Sequence, residues 1–387
     1  MNAVIIGSGE SGYTRKPEPG QNAHTFLRDA ILMAVRDAGL KLSDIDGLAV
    51  SSFGIEPDKA IDLTWRLGMT LTWLLQDTNG GGGGVAMLGH AVRGVEAGAA
   101  KAIVVIGGDA LGLQGFAKLT ANYNRAIRDH VSPLGHSGPN SLFSMLTQRQ
   151  MQAFGITKKD YGHMVIAQRA WAAGNPNAVY RTPLTMEEYL GAAMVCDPLG
   201  RYDCVPPVAG ASAIVVSTAD RCPAHHVPVR VRAVKNSFNF DNQEGDGLKT
   251  GLSKVADDLW STAGVQPEDV DLAAIYDDYP AMVLAQLNDL KLIPGSDLAR
   301  FAREEIGTRR FPVNTSGGLL SAGQAGGAGG MNGTVEAVRQ LQHVAGDRQV
   351  KNARLAVVSG YGMVLYRFGA STGAAVLERA EGSPASP

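Results

Sequence analysis

Cysteine is scarce. Three residues in 387, Cys196, Cys204 and Cys222, are too few and too unevenly spaced for a disulfide framework or a zinc knuckle. Such usage fits a reducing compartment, and a cytoplasmic location is expected. An excess of charge is also missing: 35 Lys and Arg oppose 37 Asp and Glu, giving a net charge of -2. Nothing global therefore draws the chain to nucleic acid. No apolar run reaches the ~18 residues of a membrane span. Met1 to Gly9 carries no basic stretch ahead of its apolar residues, so it does not read as a secretory signal. Histidines are few and scattered. His130, His136 and His163 stand alone without metal-ligand spacing, although His136 lies in a Pro/Gly loop that would suit the border of a site. His225-His226 reads as a surface turn. No metal site is expected.

Glycine, by contrast, is abundant and clustered, with 48 residues. Such clusters mark backbone that turns sharply or approaches something closely. Around them the pattern alternates. Buried strands are read at 2–7, 47–51, 71–75, 102–107, 213–217, 227–234, 272–275 and 355–359. Helices are read at 24–38, 85–97, 141–153, 157–173, 252–263, 282–290 and 331–343. This alternation is that of an α/β protein. The chain also repeats. AGLKLSDIDGLAV at 38–50 returns as AGVQPEDVDLAAI at 263–275. A glycine run, an Ala-Val-Arg helix and a strand ending in glycine occur first around 80–107 and again around 326–362. Two blocks in the same order imply a duplicated unit. The units expected are residues 1–109 with 211–234, an inserted helical and loop region at 110–210, and residues 235–387.

Gly7-Ser8-Gly9-Glu10-Ser11-Gly12 matches a dinucleotide-loop pattern, but no helix follows at once, so the match is weak. Gly80 to Gly84 lies between a strand and a helix. It reads either as a helix start whose free N–H groups face an anion or as tight helix–sheet packing; function is favoured. Asn314 to Gly330, rich in glycine, opens the matching helix of the second unit and carries the same two readings. Tyr276-Asp277-Asp278-Tyr279 and Gly360-Tyr361-Gly362 sit at strand ends, where open α/β sheets bind ligands. Tyr276 and Tyr279 are equally readable as packed rings, whereas for Tyr361 the functional reading is favoured.

Asn175-Pro176-Asn177-Ala178, Asp197-Pro198-Leu199-Gly200, Gly210-Ala211-Ser212-Ala213 and Asn314-Thr315-Ser316-Gly317-Gly318 with Gly323-Gln324-Ala325 resemble signatures of the thiolase superfamily. The resemblance is to its sterol-carrier-protein-type (lipid-transfer-protein) branch and runs along essentially the whole chain. It implies a duplicated thiolase fold: five layers, αβαβα, with two mixed sheets, assembled as a homodimer or larger. The departures are chemical. The position of the thiolase cysteine falls near Gly81 or Gly82. Gln324 stands where the family has a histidine; the late C-x-G block has no cysteine, and Tyr361 stands between its glycines. Without these groups a covalent acyl-enzyme is not expected.

The resemblance extends to the retro-aldolases of steroid side-chain breakdown, which work with an OB-fold partner of the DUF35 type. It implies an acyl-CoA substrate, no cofactor beyond that CoA thioester, and retro-aldol cleavage of a bulky 3-hydroxyacyl-CoA. The expected acid/base groups are Tyr361, Tyr276 and Asp277, with Gln324 donating to the thioester oxygen. The expected substrate-binding backbone is Gly81, Gly82, Gly83, Gly317, Gly318, Gly323, Gly360 and Gly362. An acetyl-CoA acetyltransferase and a non-catalytic acyl-CoA-binding subunit are the alternatives.

Overall fold

The computed structural model describes residues 2–121, 124–135, 138–364 and 368–380. In chain order the first half contains β1 (Ala3–Glu10), α1 (Ala23–Asp37), β2 (Gly47–Ser51), α2 (Lys59–Leu67), β3 (Trp73–Asp77), α3 (Gly83–Glu96) and β4 (Ile103–Asp109). Next come α4 (Leu113–Ala121), α5 (Pro139–Phe154), α6 (Lys158–Ala172), α7 (Met186–Leu190), β5 (Met194–Cys196) and β6 (Leu199–Gly200). The remainder is β7 (Gly210–Thr218), β8 (Val229–Phe238), α8 (Leu252–Ala263), β9 (Leu272–Ala274), α9 (Pro280–Asp289), α10 (Leu298–Phe301), α11 (Gly318–Ala322), α12 (Asn332–Gln342), β10 (Leu355–Val364) and β11 (Gly369–Arg379).

Local chemistry sets these bounds. In α1, Phe26, Leu27, Ala30, Ile31, Ala34 and Val35 are buried at helical spacing, and Asn22 with Thr25 forms a capping box at its start. The helix lies directly on β1. A Cβ built on Gly7 would be 2.6 Å from Ala38 N, and one on Gly9 2.4 Å from Ala34 N. The first two glycines of the dinucleotide-like pattern therefore seat a helix against a strand.

The duplication is explicit in the strand order, β3-β2-β4-β7-β1-β8-β11-β10-β9. In the first half β2 and β4 run parallel, and β4–β7 and β7–β1 antiparallel. The second half copies this: β9 and β10 are parallel, and β10–β11 and β11–β8 antiparallel. A single parallel bridge, Ala273 to Val313, occupies the place that β3 holds in the first half. The two sheets expected from the resemblance are joined edge to edge. Val4 pairs with Arg230 and Ile5 with Val229, making one nine-stranded sheet. The join follows from β1 and β8 each being the inner edge of its half, where free backbone groups need partners.

Five layers remain legible in the packing. Apolar residues of α3 and α12 share a central core with strands of both halves. On the outer faces, α1 and α2 cover the first half, while α6, α8 and α9 cover the second. No helix among the described residues is long and apolar enough to cross a membrane.

Candidate active site

The chain leaves β9 at Ala274 and enters α9 at Pro280, and the five residues between are Ile275 to Tyr279. Their backbone is fixed from several sides. Ile275 N donates to Asn314 Oδ1 (2.7 Å), and Gln286 Nε2 donates to the Tyr276 carbonyl (2.8 Å). Side chains of the extended segment then alternate. Tyr276 and Asp278 face one way, into a cavity; Asp277 faces the other.

Gln324 meets the first pair. It follows α11 and is pinned by its own N–H to Pro206 O (2.9 Å) and by Val208 N to its carbonyl (3.0 Å). Its side-chain Nε2 lies 2.8 Å from Tyr276 Oη and 2.6 Å from Asp278 Oδ1. Both amide hydrogens are thereby committed, so the expected donation from Gln324 to a thioester oxygen is not available in this geometry. The amide instead holds a phenol and a carboxyl side by side. Burial pushes the Asp278 carboxyl up to about 7, although hydrogen bonds from Tyr276 and Gln324 oppose the rise. A carboxyl tuned to that value suits proton transfer near neutrality.

Asp277 is a correction. Its Oδ1 accepts from Leu319 N (2.8 Å), and its Oδ2 from Leu320 N (3.2 Å) and Gln168 Nε2 (3.2 Å). It ties off the first turn of α11, with its acceptors spent on two backbone N–H groups and the Gln168 amide. Tyr361 is a second. Its neighbours Gly360 and Gly362 face the first glycine tract, so strand alternation turns its ring to the opposite side. There the hydroxyl accepts from Gly369 N (2.5 Å), and the ring lies edge-on to Phe143 at 6.2 Å. Tyr361 braces the β10–β11 hairpin and does not line the cavity.

The glycines divide in the same manner. A Cβ built on Gly81 would lie 2.3 Å from the Tyr276 ring and from the Tyr361 carbonyl; one on Gly82 would lie 2.4 Å from Ser371 Oγ. The same construction on Gly83 meets Asp77 Oδ1 at 2.2 Å, and on Gly84 it meets the Gly330 carbonyl at 1.8 Å. The two tracts are thus in contact, and most of their glycine serves that contact. Gly317 packs on Ala172, Gly318 on Asp277 and Gly323 on Val208, while Gly360 abuts the Gly81 carbonyl. Of the glycines expected to bind substrate, Gly81 and Gly362 border the cavity, joined by Gly80 and Gly326. Gly82, Gly83, Gly317, Gly318, Gly323 and Gly360 do not border the cavity, and neighbouring atoms pack against the position that a Cβ would take on each.

The cavity has two lobes that share Asp278, Gln324, Phe116 and Thr120. The inner lobe has about 690 Å³ of empty space, its mouth included. Its walls include Phe53, Phe116, Leu119, Ile127, Leu142 and Val364. The outer lobe is bounded by Leu113, Asn140, Cys204, Val205, Pro207 and Tyr279. Cys204 is no nucleophile there, because burial pushes its thiol up to about 12. Tyr279 donates to Asn140 Oδ1 (2.7 Å) and stacks on Phe143 at 4.5 Å. His136 lies outside the described residues.

Sequence reasoning missed Asp278, where its neighbour was chosen, and Asp109. The latter ends β4, fully buried, with burial pushing its carboxyl up to about 6. It accepts from Ser52 Oγ (2.7 Å), Gly54 N (2.5 Å), Phe53 N (3.2 Å) and Gly327 N (2.7 Å). One side chain thereby holds Phe53 and Gly326, from opposite halves of the chain, at the cavity wall. An acid closing a buried strand was the available signal.

A family profile described as "Thiolase C-terminal domain-like" matches residues 236–379. A 17-hydroxy-3-oxo-4-pregnene-20-carboxyl-CoA lyase of Mycobacterium tuberculosis is 31% identical over 88% of this chain and 91% of its own. A steroid side-chain-cleaving aldolase of Thermomonospora curvata is 27% identical over 93% and 95%. Among solved structures, the one described as an Ltp2-ChsH2(DUF35) aldolase superposes with a TM-score of 0.81 at 25% identity, covering 98% of both chains. Near-complete coverage on both sides, at this identity and on this duplicated fold, shows the relationship: the chain belongs to the thiolase superfamily, in the thiolase-like group that includes the steroid side-chain-cleaving aldolases.

Proposed function

We propose that the chain cleaves a bulky 3-hydroxyacyl-CoA by a retro-aldol reaction, giving a ketone or aldehyde and a shorter acyl-CoA, with no covalent acyl-enzyme. One observation carries this reading: Gln324 clasps Tyr276 and Asp278 at the cavity floor, beside a Gly81 that has no room for a nucleophile. In the scheme the Asp278 carboxylate, through its bond with the Tyr276 hydroxyl, takes the proton of the β-hydroxyl. The Cα–Cβ bond breaks; its electron pair passes to the α-carbon and thioester as an enolate, while the β-carbon becomes a carbonyl. Backbone at Gly80, Gly81, Gly326 and Gly362 offers a surface without side chains, where N–H groups stabilise developing negative charge. The α-carbon then recovers the proton from the same acid pair, so the site returns to its starting state.

The relatives' names supply the substrate class. A steroid side-chain thioester suits the apolar inner lobe, and an OB-fold protein of the DUF35 type is the proposed partner. A homodimer or larger, a cytoplasmic location and independence of any cofactor besides the substrate's CoA complete the proposal. The test is incubation of a synthetic 3-hydroxyacyl-CoA with the chain and its partner, followed by mass spectrometry. A carbonyl product without labelled protein is expected; a trapped acyl-enzyme would move the chain to the acyltransferases, and binding without product would make it a non-catalytic subunit. Tyr276→Phe should slow cleavage roughly 10²-fold or more. Tyr361→Phe should leave the rate within about three-fold and cost about 1 kcal/mol of stability through the lost bond to Gly369.

A further inference from the structure

Arg169, on α6, is 5% exposed, and no carboxylate pairs with it among the described residues. Its guanidinium lies between two phenol rings, 5.0 Å from the centroid of Tyr180 and 5.4 Å from that of Tyr202. Nε donates to Ser321 Oγ (2.9 Å), while Nη2 is buried without a hydrogen-bond partner. Two further arginines converge on the same rings from the surface. Arg15 stands 5.9 Å over Tyr180, and Arg201 lies near enough to the Tyr180 and Tyr202 side chains to interact with them electrostatically. Neither has an acidic partner among the described residues. Three guanidiniums gathered on two rings with no acid between them are electrostatically incomplete: a buried cation normally has a counter-charge, and cation–π contact replaces only part of it.

The cluster communicates with the reaction centre by two short segments. Arg201 and Tyr202 lead in two to six residues to Cys204, Val205 and Pro207, which wall the outer lobe. Ser321, which anchors Arg169, is three residues before Gln324, and Val208 N bonds the Gln324 carbonyl. We infer that Arg15, Arg169 and Arg201, on the Tyr180–Tyr202 platform, form a phosphate site that holds the nucleotide end of the CoA substrate, with the pantetheine arm leaving through the outer lobe. The inference rests on the CoA-thioester reading above. Arginine suits the task because its planar donors pair with two phosphate oxygens at once and its face stacks on aromatics.

Equilibrium calorimetry on the full-length chain tests it, using acetyl-CoA and acetyl-pantetheine, which differ by the phosphorylated nucleotide. The wild type should bind acetyl-CoA more tightly. The double exchange Arg15→Gln/Arg201→Gln removes two exposed side chains, and a circular dichroism spectrum verifies that the fold persists. It should weaken acetyl-CoA binding about ten-fold and leave acetyl-pantetheine binding unchanged. Equal weakening of both ligands, no change in either, or no wild-type preference for acetyl-CoA overturns the assignment. So does loss of a co-purifying OB-fold protein with CoA binding intact, since the arginines would then serve an acid on that protein. Turnover is not needed for this measurement. Absence of carbonyl product with CoA binding intact counts against the retro-aldol reading alone.

Discussion

Asp278 carries the sharpest expectation at the scale of a single residue. Its carboxyl is pushed up to about 7, from an ordinary aspartate value near ~3.9. As a base it must be ionised, so kcat/KM should rise with pH through about 7. Stability moves the other way. A raised folded-state value means that the fold favours the neutral form; its contribution is full below about pH 4 and is lost as pH climbs through about 7. Asp278→Asn keeps an acceptor for Gln324 and removes the charge. It should abolish cleavage and raise the melting temperature at pH 8, with a gain on the order of a few kcal/mol. A variant that melts lower than wild type at pH 8 would show that the charge is not a burden on the fold. The sequence made the acidic pair visible but not which member faces the cavity. Asp277 and Asp278 differ only in the phase of an extended segment, and that phase is set by bonds from Asn314 and Gln286, far along the chain. The ring of Tyr361 depends on phase in the same way: Gly360 and Gly362 face the first glycine tract, and the side chain between them turns toward Gly369.

Among the elements, α4 stands out because none of its residues is buried, although Leu113, Phe116 and Leu119 make it apolar. It lies between the lobes, and Leu113 is 75% exposed. Such a face gains by covering an apolar ligand. Phe116→Ala should therefore lower the preference for a bulky over a short 3-hydroxyacyl-CoA, measured as the ratio of kcat/KM values, by roughly ten-fold, with folding intact. An unchanged ratio would remove α4 from substrate selection. This helix was absent from the sequence reading because its nine residues are too few to declare a period. The strand β11 was missed for a complementary reason. Its run GASTGAAVLER is small and nearly unbroken in burial, so it shows neither alternation nor β-branched density, yet it pairs with both β8 and β10. The elements of the two repeated blocks were legible, since each carries its own periodicity and stop signal. α3 starts at Gly83, two residues earlier than read, because packing against α12's approach tolerates only glycine there.

The whole molecule behaves as one body in its packing. Met87, Leu88 and Val92 of α3 and Val335, Val338 and Leu341 of α12 share a core with strands from both halves. Arg339 of α12 pairs with Glu10 of β1, and Asp109 ties the end of β4 to Gly327. Neither half can keep its inner face dry alone. Calorimetry should record a single cooperative transition, and two separated endotherms would contradict the shared core. The overall architecture was readable in the duplication, but the join between β1 and β8 was not, because pairing at an edge leaves no mark on either strand's pattern.

The contact between Gly81 and the ring of Tyr276 bears on how such a site can change its trade. A thiol introduced at 81 would occupy the volume of the phenol, so gaining a nucleophile requires first surrendering the ring. The molecule midway between the two chemistries would have neither tool, and nature or an engineer would have to cross that gap with two exchanges made together.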